Sequence, residues 1–302
     1  MTAVPKSRVT LARIDDRASG VQQTIRALAV NPAKNKDVLI KPNFNTADPA
    51  PGSTHNDTLV ALVDELWQMG ARSISVGERS YPRTASVMEA KGIVPLLEAR
   101  DVRIIDFDAL PDEDWVKVDA AGSHWRDGFR VARPVLDAAC LVSAGCLKTH
   151  QFGGVFTLSL KLHVGVVPTT RHGYDYMAEL HGSPHQQELI AEINAPFTPD
   201  LVVLDGVEAF VDGGPATGKR VRGDVVLAAT DRVAIDAVGV AILKHLGSNA
   251  QVMTRPIFFQ KQIARAVELG LGADSPEAIE LVATDPSGED FRDRVAAILS
   301  QG

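Results

Sequence analysis

The stretch "LKTHQFGGVFTLSLKLHVG", residues 147–165, sets Lys148, His150, Lys161 and His163 among leucines, valines and glycines. Lysine and histidine are costly to bury without partners, and the usual escape is a shifted pKa. A lysine and a histidine that are close together and partly desolvated lower each other's pKa values, which suits general acid–base work near neutral pH. These four residues are the candidate catalytic group, supplying base, acid and charge stabilisation for proton abstraction beside a carboxylate or carbonyl. The plainer alternative is the solvated polar face of an edge element.

Other groups have the chemistry to hold an anion. In "KPNFN", Lys41, Asn43 and Asn45 follow a strand, and Pro42 biases Lys41 to extended geometry; an Asn-rich turn is the competing reading. His55 in "GSTHND" stands beside a helix N-terminus, where exposed N–H groups favour anions, although a plain cap by Ser53, Thr54 or Asn56 is the preferred reading there. In "VGERSYPR", Glu78 and Arg79 either pair with one another or meet a substrate. With Thr157, the residues Lys41, Asn43, Asn45, His55 and Arg79 make the expected substrate-holding set.

The segment 168–187, "PTTRHGYDYMAELHGSPHQQ", is polar and has no clear period. A loop closing over the site is expected there, bringing Arg171, His172, His181 and His185. Five of the eight histidines fall between His150 and His185. A divalent metal or a nickel-type cofactor is chemically conceivable, but the spacings match no zinc motif, so no metal ligands are assigned. "DGGPATGK", residues 212–219, lacks the G-x-x-x-x-G-K-[ST] spacing and its lysine precedes Arg220, which argues against a nucleotide.

Short β-branched runs at 8–13, 37–45, 72–78 and 101–108 alternate with helical patterns at 18–30, 56–69 and 84–99. That alternation predicts an α/β fold, a mostly parallel sheet flanked by helices, with a small antiparallel hairpin near 115–135. Further strands are expected at 138–146, 200–210, 224–231 and near 278–285, and helices at 232–246, 257–269 and the C-terminus. The chain reads as a single α/β domain over 1–302, with lobes at 1–135 and 136–302 as a subdivision. In open parallel sheets ligands bind beyond the carboxyl ends of the strands, where the candidate groups lie. Strict alternation over 155–164 reads as a strand with Lys161 and His163 on one face; Gly153-Gly154 followed by leucines reads as a helix with Thr157 and Lys161 together and His163 turned away.

A net charge of −7 without a basic run argues against a nucleic-acid surface, and no apolar stretch has membrane-spanning length. The N-terminus lacks the basic-then-apolar build of a signal peptide, and two cysteines, Cys140 and Cys146, suit a reduced cytoplasmic protein. Two thiols are too few for a four-thiolate iron–sulfur cluster.

"IKPNFN", "LVSAGCLKTH…FGGVFTLSLKLHVGVV", "LDGVEAFVDGGPATGK", "VVLAATDRVAIDAVGVAIL" and "QIARAVELGLG" come in the order seen in the domain-of-unknown-function family 362, which the chain resembles from about residue 37 to 282. Many members carry appended cysteine motifs for two iron–sulfur clusters, which this chain lacks. Where the family usually shows Lys-Asn, this chain has Lys161 followed by Leu162-His163. The resemblance implies an α/β architecture distantly like that of the nickel-pincer lactate racemases, and it favours the helix after Gly154. No racemase motif is matched residue for residue, so no role is carried over. The expectation is an enzyme acting on a small anionic metabolite by Lys/His acid–base chemistry, of isomerase, racemase or lyase type. The alternatives are a non-catalytic module binding a cofactor, metal or partner protein, and a cluster-less relative of iron–sulfur redox proteins; a homo-oligomer suits any of them.

Overall fold

The computed structural model describes residues 6–302. Aliphatic runs become strands and the amphipathic segments between them become helices. The first half comprises β1 (Ser7–Arg13), α1 (Arg17–Leu28), β2 (Asp37–Pro42), α2 (Asn56–Gln68), β3 (Ser73–Glu78), α3 (Thr84–Ala90), α4 (Val94–Glu98) and β4 (Val102–Asp106). A hairpin-like pair, β5 (Trp115–Val118) and β6 (Phe129–Ala132), leads through α5 (Arg133–Leu136) to β7 (Cys140–His150). Next come β8 (Val155–Thr157), α6 (Ser159–Leu162), β9 (Thr170–Arg171), β10 (Tyr174–Asp175), α7 (Tyr176–Gly182) and α8 (Gln186–Glu192). The chain continues through β11 (Leu201–Gly213), β12 (Gly218–Arg222), β13 (Val225–Ala229), α9 (Arg232–His245), α10 (Ala250–Thr254) and α11 (Lys261–Glu268). It ends with β14 (Ile279–Ala283) and α12 (Glu289–Gln301).

One sheet runs in the order β14-β1-β13-β11-β7-β2-β3-β4, so strands from both halves of the chain interleave. Only β13 on this path runs antiparallel to its neighbours. Continuous burial along β7 follows from covering both sheet faces. Residues of α1 to α4 pack with Val38, Ile40, Val76 and Val142 on one side. On the other, α9, α11 and α12 pack with Val9, Leu11 and Leu204, while β5, β6, α7 and α8 close over Leu39 and Leu141. The mostly parallel α/β architecture and the antiparallel pair within 115–135 match the expectation from sequence.

Local departures have simple causes. The helix expected over 84–99 breaks between α3 and α4 at Gly92, whose φ is +61°. Residues 168–187 are ordered as a two-residue hairpin, α7 and the start of α8, because Tyr176 and Leu180 bury themselves in the core under β5 and β6. Over 155–164 both readings are partly right. Val155–Thr157 pairs antiparallel with the end of β7, then the chain turns into α6 and a 3₁₀ turn over His163–Val166.

A one-turn helix cannot stabilise itself, since nucleation is unfavourable. Asp236 of α9 supplies what α6 lacks: its buried carboxyl accepts from Ser159 N at 2.7 Å and Leu160 N at 3.0 Å. Gly239, one turn further along α9, leaves room for Leu158, whose Cδ1 lies 2.9 Å from where a Cβ would sit. Replacing Asp236 by Ala would orphan two buried N–H groups. Asp236→Ala should lose about 3 kcal/mol of stability in denaturant unfolding, while Asp236→Asn, which keeps one acceptor oxygen, should lose clearly less.

Candidate functional site

The parallel strands β2, β3 and β7 end side by side, and beyond them opens a cavity of about 540 Å³. Its walls include Lys41 near the end of β2 and Asn43 just after it, Glu78 and Arg79 at the end of β3, Lys148 and His150 on β7, Thr157 on β8 and Lys161 on α6. Residues 215–217 close one side. Gly214 lets this turn approach β7: an added Cβ would lie 2.1 Å from Thr149 O, and its φ of +75° favours glycine as well.

Each cation in the wall is held differently. Lys41 Nζ lies 2.5 Å from Glu78 Oε1 and donates to Pro42 O at 2.7 Å. Glu78 also accepts from Phe44 N at 2.8 Å and Arg79 N at 2.9 Å. Burial pushes Lys41 down and Glu78 up, and the attraction within the pair opposes both movements. The Glu78–Arg79 pairing considered from sequence does not form. Arg79 instead donates to Val167 O at 2.7 Å, Thr169 Oγ1 at 3.1 Å and Val164 O at 3.3 Å, and burial lowers its pKa. Lys148 donates to Gly52 O and, at 3.4 Å, to Pro215 O.

Lys161 has neither a hydrogen bond nor an ion pair with any described residue. Burial first, then Lys148 and Arg79, bring its pKa down to about 7. Burial, then Lys161 and Lys148, bring His150 to about 2, so its imidazole is neutral. His150 Nδ1, Thr157 Oγ1 and Asn43 Nδ2 are buried without a hydrogen-bond partner, and all three residues line the cavity. Glu78 is the single acidic side chain in the wall, and Lys41 already engages it. The cavity therefore carries net positive charge and unsatisfied polar atoms, the complement of a small anion.

His163 is not in this cavity. Consecutive helical residues are about 100° apart, so Lys161 and His163 point to nearly opposite sides of the turn. His163 is buried in the core, its Nε2 2.9 Å from Ser143 Oγ and its Nδ1 2.7 Å from Asn194 Oδ1, with Phe197 edge-on. Burial and Arg232 hold its pKa at about 3. His55 also lies apart from the cavity, capping α2 by accepting from Asp57 N at 3.1 Å. Of the four residues expected in the covering segment, only His181 lines the cavity. Arg171 sits over the Trp115 ring and donates to Leu110 O at 3.0 Å; His172 faces Asp112; His185 stacks on His124 with centroids 4.5 Å apart. Asn45 stands at the cavity mouth with Tyr81 and Phe152, both largely exposed. Sequence reasoning missed these two aromatics, which have no signature before folding.

The residues do not fit a protein-held divalent ion. Among the described residues no three His, Cys, Asp or Glu side chains are arranged as ligands, and His150 stands among lysines that would repel a cation. No helix of the described residues is long and apolar enough to cross a membrane.

Two outcomes follow from these charges. Because the folded chain holds Lys161 near 7 and a free lysine titrates near 10.4, the unfolded chain binds that proton more tightly. The group's contribution to stability therefore rises between those pH values. Lys161→Met should be more stable than the parent at pH 6, by on the order of 3 kcal/mol, and thermal melts should show the gain shrinking towards pH 10. Glu78→Gln, by contrast, leaves Lys41 buried without its counter-charge and should lose about 3–5 kcal/mol, with Lys41→Met in the same chain restoring much of it in denaturant titrations.

Comparison with known proteins places this geometry in a family. The thylakoid-associated protein sll1697 of Synechocystis sp. is 26% identical over 210 residues, which cover 68% of this chain and 63% of that protein. The chain thus spans less than two thirds of its relative's length. The lactate racemase apoprotein from Thermoanaerobacterium thermosaccharolyticum superposes with a TM-score of 0.46 at 14% identity, over 67% of this chain and 50% of that one. The domain of unknown function DUF362 matches residues 38–241, a span that runs from β2 through most of α9 and contains every charged group of the cavity wall, and the chain belongs to that family.

Proposed function

We propose that the protein is an enzyme that moves a proton on a small anionic metabolite, as an isomerase, a racemase or a lyase of elimination type. The observation that carries this reading is Lys161: a buried amine with no protein partner, beside a neutral histidine, in a cavity with more positive than negative side chains. Structural lysines are paired. This one is kept near the middle of its titration at neutral pH, where a group both accepts and donates protons efficiently.

The other groups divide the remaining work. Arg79 and Lys148, fixed by backbone carbonyls, hold the carboxylate or phosphate of the substrate. Asn43 and Thr157 bring unsatisfied polar atoms to its other oxygens. His150 acts as the second proton carrier through its free Nδ1. As negative charge develops on the substrate, the fixed cations stabilise it without reorganising. His181 on α7 forms part of the cover that excludes water. The natural location is the reducing cytoplasm, which suits two buried thiols. A small anion is the one partner this chemistry requires.

A second reading draws on the same unpartnered atoms, which a permanently bound cofactor would satisfy as well as a substrate, making the chain a binding module. Deuterium exchange separates the two. In deuterium oxide, at least one member of a panel of small hydroxy, oxo and amino carboxylates should lose the proton next to its carboxylate or carbonyl, followed by proton NMR. Lys161→Met and His150→Gln should each slow that exchange by about 10²–10⁴-fold. Exchange that survives both substitutions, or a panel on which the wild-type protein does nothing, would sink the catalytic reading.

A further inference from the structure

We infer that Lys161 captures its substrate covalently, as an imine, and that the substrates are small 2-oxo carboxylates. The inference rests on the acid–base reading of the same cavity and gives it a substrate class.

Three lysines line the cavity and only one is free. Lys41 is engaged by Glu78 and Pro42 O, and Lys148 by Gly52 O and Pro215 O, so both act as fixed charges. Lys161 donates to no described residue, which leaves its nitrogen lone pair available once the proton is lost. A lysine that only shuttled protons would gain from a hydrogen-bonded neighbour. A nucleophilic lysine needs desolvation and nearby positive charge instead, and Lys161 has both.

Gly154 supplies the second observation. A Cβ at that position would come 2.5 Å from Lys161 Cε and 3.1 Å from His150 Nδ1. The lysine stem and the imidazole therefore pass the same point of backbone, and any side chain there would push the amine out of place. One small ligand can meet both groups. Arg79 has no carboxylate within ion-pair distance and is 5% exposed, so a buried guanidinium waits for an anion in the same cavity. A carboxylate on Arg79 and Lys148, with an adjacent carbonyl at Lys161, is the 2-oxo acid pattern.

The chemistry balances without any further reactant. The Lys161 nitrogen attacks the carbonyl carbon and passes one proton to the carbonyl oxygen; a second proton, taken up from solvent, lets that oxygen leave as water and gives the protonated imine. The protonated imine then draws electrons from the neighbouring C–H, and neutral His150, made more basic once the bound carboxylate offsets the Lys148 charge, accepts that proton. Reprotonation of the resulting enamine followed by addition of water to the imine returns the oxo acid and the free lysine.

The test uses the wild-type protein at pH 7 with pyruvate and with 2-oxoglutarate. Sodium cyanoborohydride is added to reduce any imine, and adducts are located by peptide mapping. In parallel, exchange of the carbonyl oxygen is followed in heavy-oxygen water. We expect a single reduced adduct on Lys161 and oxygen exchange at least about 100-fold above buffer, both absent from Lys161→Arg. Because the wild-type map carries the result, a variant that folds poorly does not blur it. Adducts scattered over surface lysines to the same extent in Lys161→Arg would overturn the inference. Deuterium exchange at carbon without adduct or oxygen exchange would remove the imine and leave the acid–base reading standing. Absence of carbon exchange, oxygen exchange and adduct alike would overturn the inference, and the acid–base reading would then fall only if the hydroxy and amino carboxylates also failed to exchange.

Discussion

Positive charge held out of water is the constraint on which the rest of this structure turns. Lys41, Arg79, Lys148 and Lys161 surround one cavity, and Glu78 is the only carboxylate in its wall. Desolvating an ion costs several kcal/mol even after relaxation, so each of these side chains needs a local answer. For Lys41 the answer is a direct ion pair with Glu78. For Arg79 and Lys148 it is backbone: Val164, Val167, Gly52 and Pro215 turn carbonyl oxygens towards them. Neutral dipoles stabilise a cation without cancelling its charge, which leaves the cavity able to attract an anion. Lys161 receives no such answer, and its response is to give up its proton near neutral pH.

Topology explains why those carbonyls are available. Parallel strands end on one side of the sheet, so the turns after β2 and β11 and the segment after α6 collect there with carbonyl oxygens unpaired by the ladder. The glycines at 154, 213 and 214 then let main chain approach main chain and side-chain stems closely. A longer-range brace is still needed, because α6 is one turn long and carries the lysine. Asp236 provides it from the opposite element, reaching from α9 to the first N–H groups of α6. Chemistry at Lys161 thus depends on a carboxyl that never touches the cavity.

Much of this was legible before folding, and the limits are instructive. β-branched runs separated by amphipathic segments define the α/β sheet, since burial on both faces leaves a continuous apolar mark in the strands. Lys41, Arg79, Lys148, His150 and Lys161 stand out because charged residues at strand ends in apolar surroundings require an explanation. His163 stands out for the same reason and turns out to be a core histidine, satisfied by Ser143 and Asn194. Sequence shows the polar type but not which way a single helical turn faces. The partners of these residues were hidden for a different reason. Asp236 lies 76 residues beyond Leu160, and Gly52 lies 96 residues before Lys148, so no local pattern links them. The loop histidines illustrate the converse, since polarity and proximity in sequence suggested one cluster while folding sent His172 and His185 to the surface.

The division of labour among the cations also bears on what kind of ligand the site admits. If every lysine were ion-paired, the cavity would be neutral and its orphaned Asn43, Thr157 and His150 atoms would favour a polar, uncharged guest. If none were, the accumulated repulsion would unfold the strand ends. Pairing one cation, solvating two with backbone oxygen and leaving one bare keeps the site attractive to anions while holding a reactive amine inside it. Cation–cation repulsion within the wall then works in one direction, because it favours release of the Lys161 proton and favours the entry of negative charge. An arriving anion relieves that repulsion and raises the proton affinity of Lys161, so binding and protonation are coupled through the same few ångströms of desolvated space.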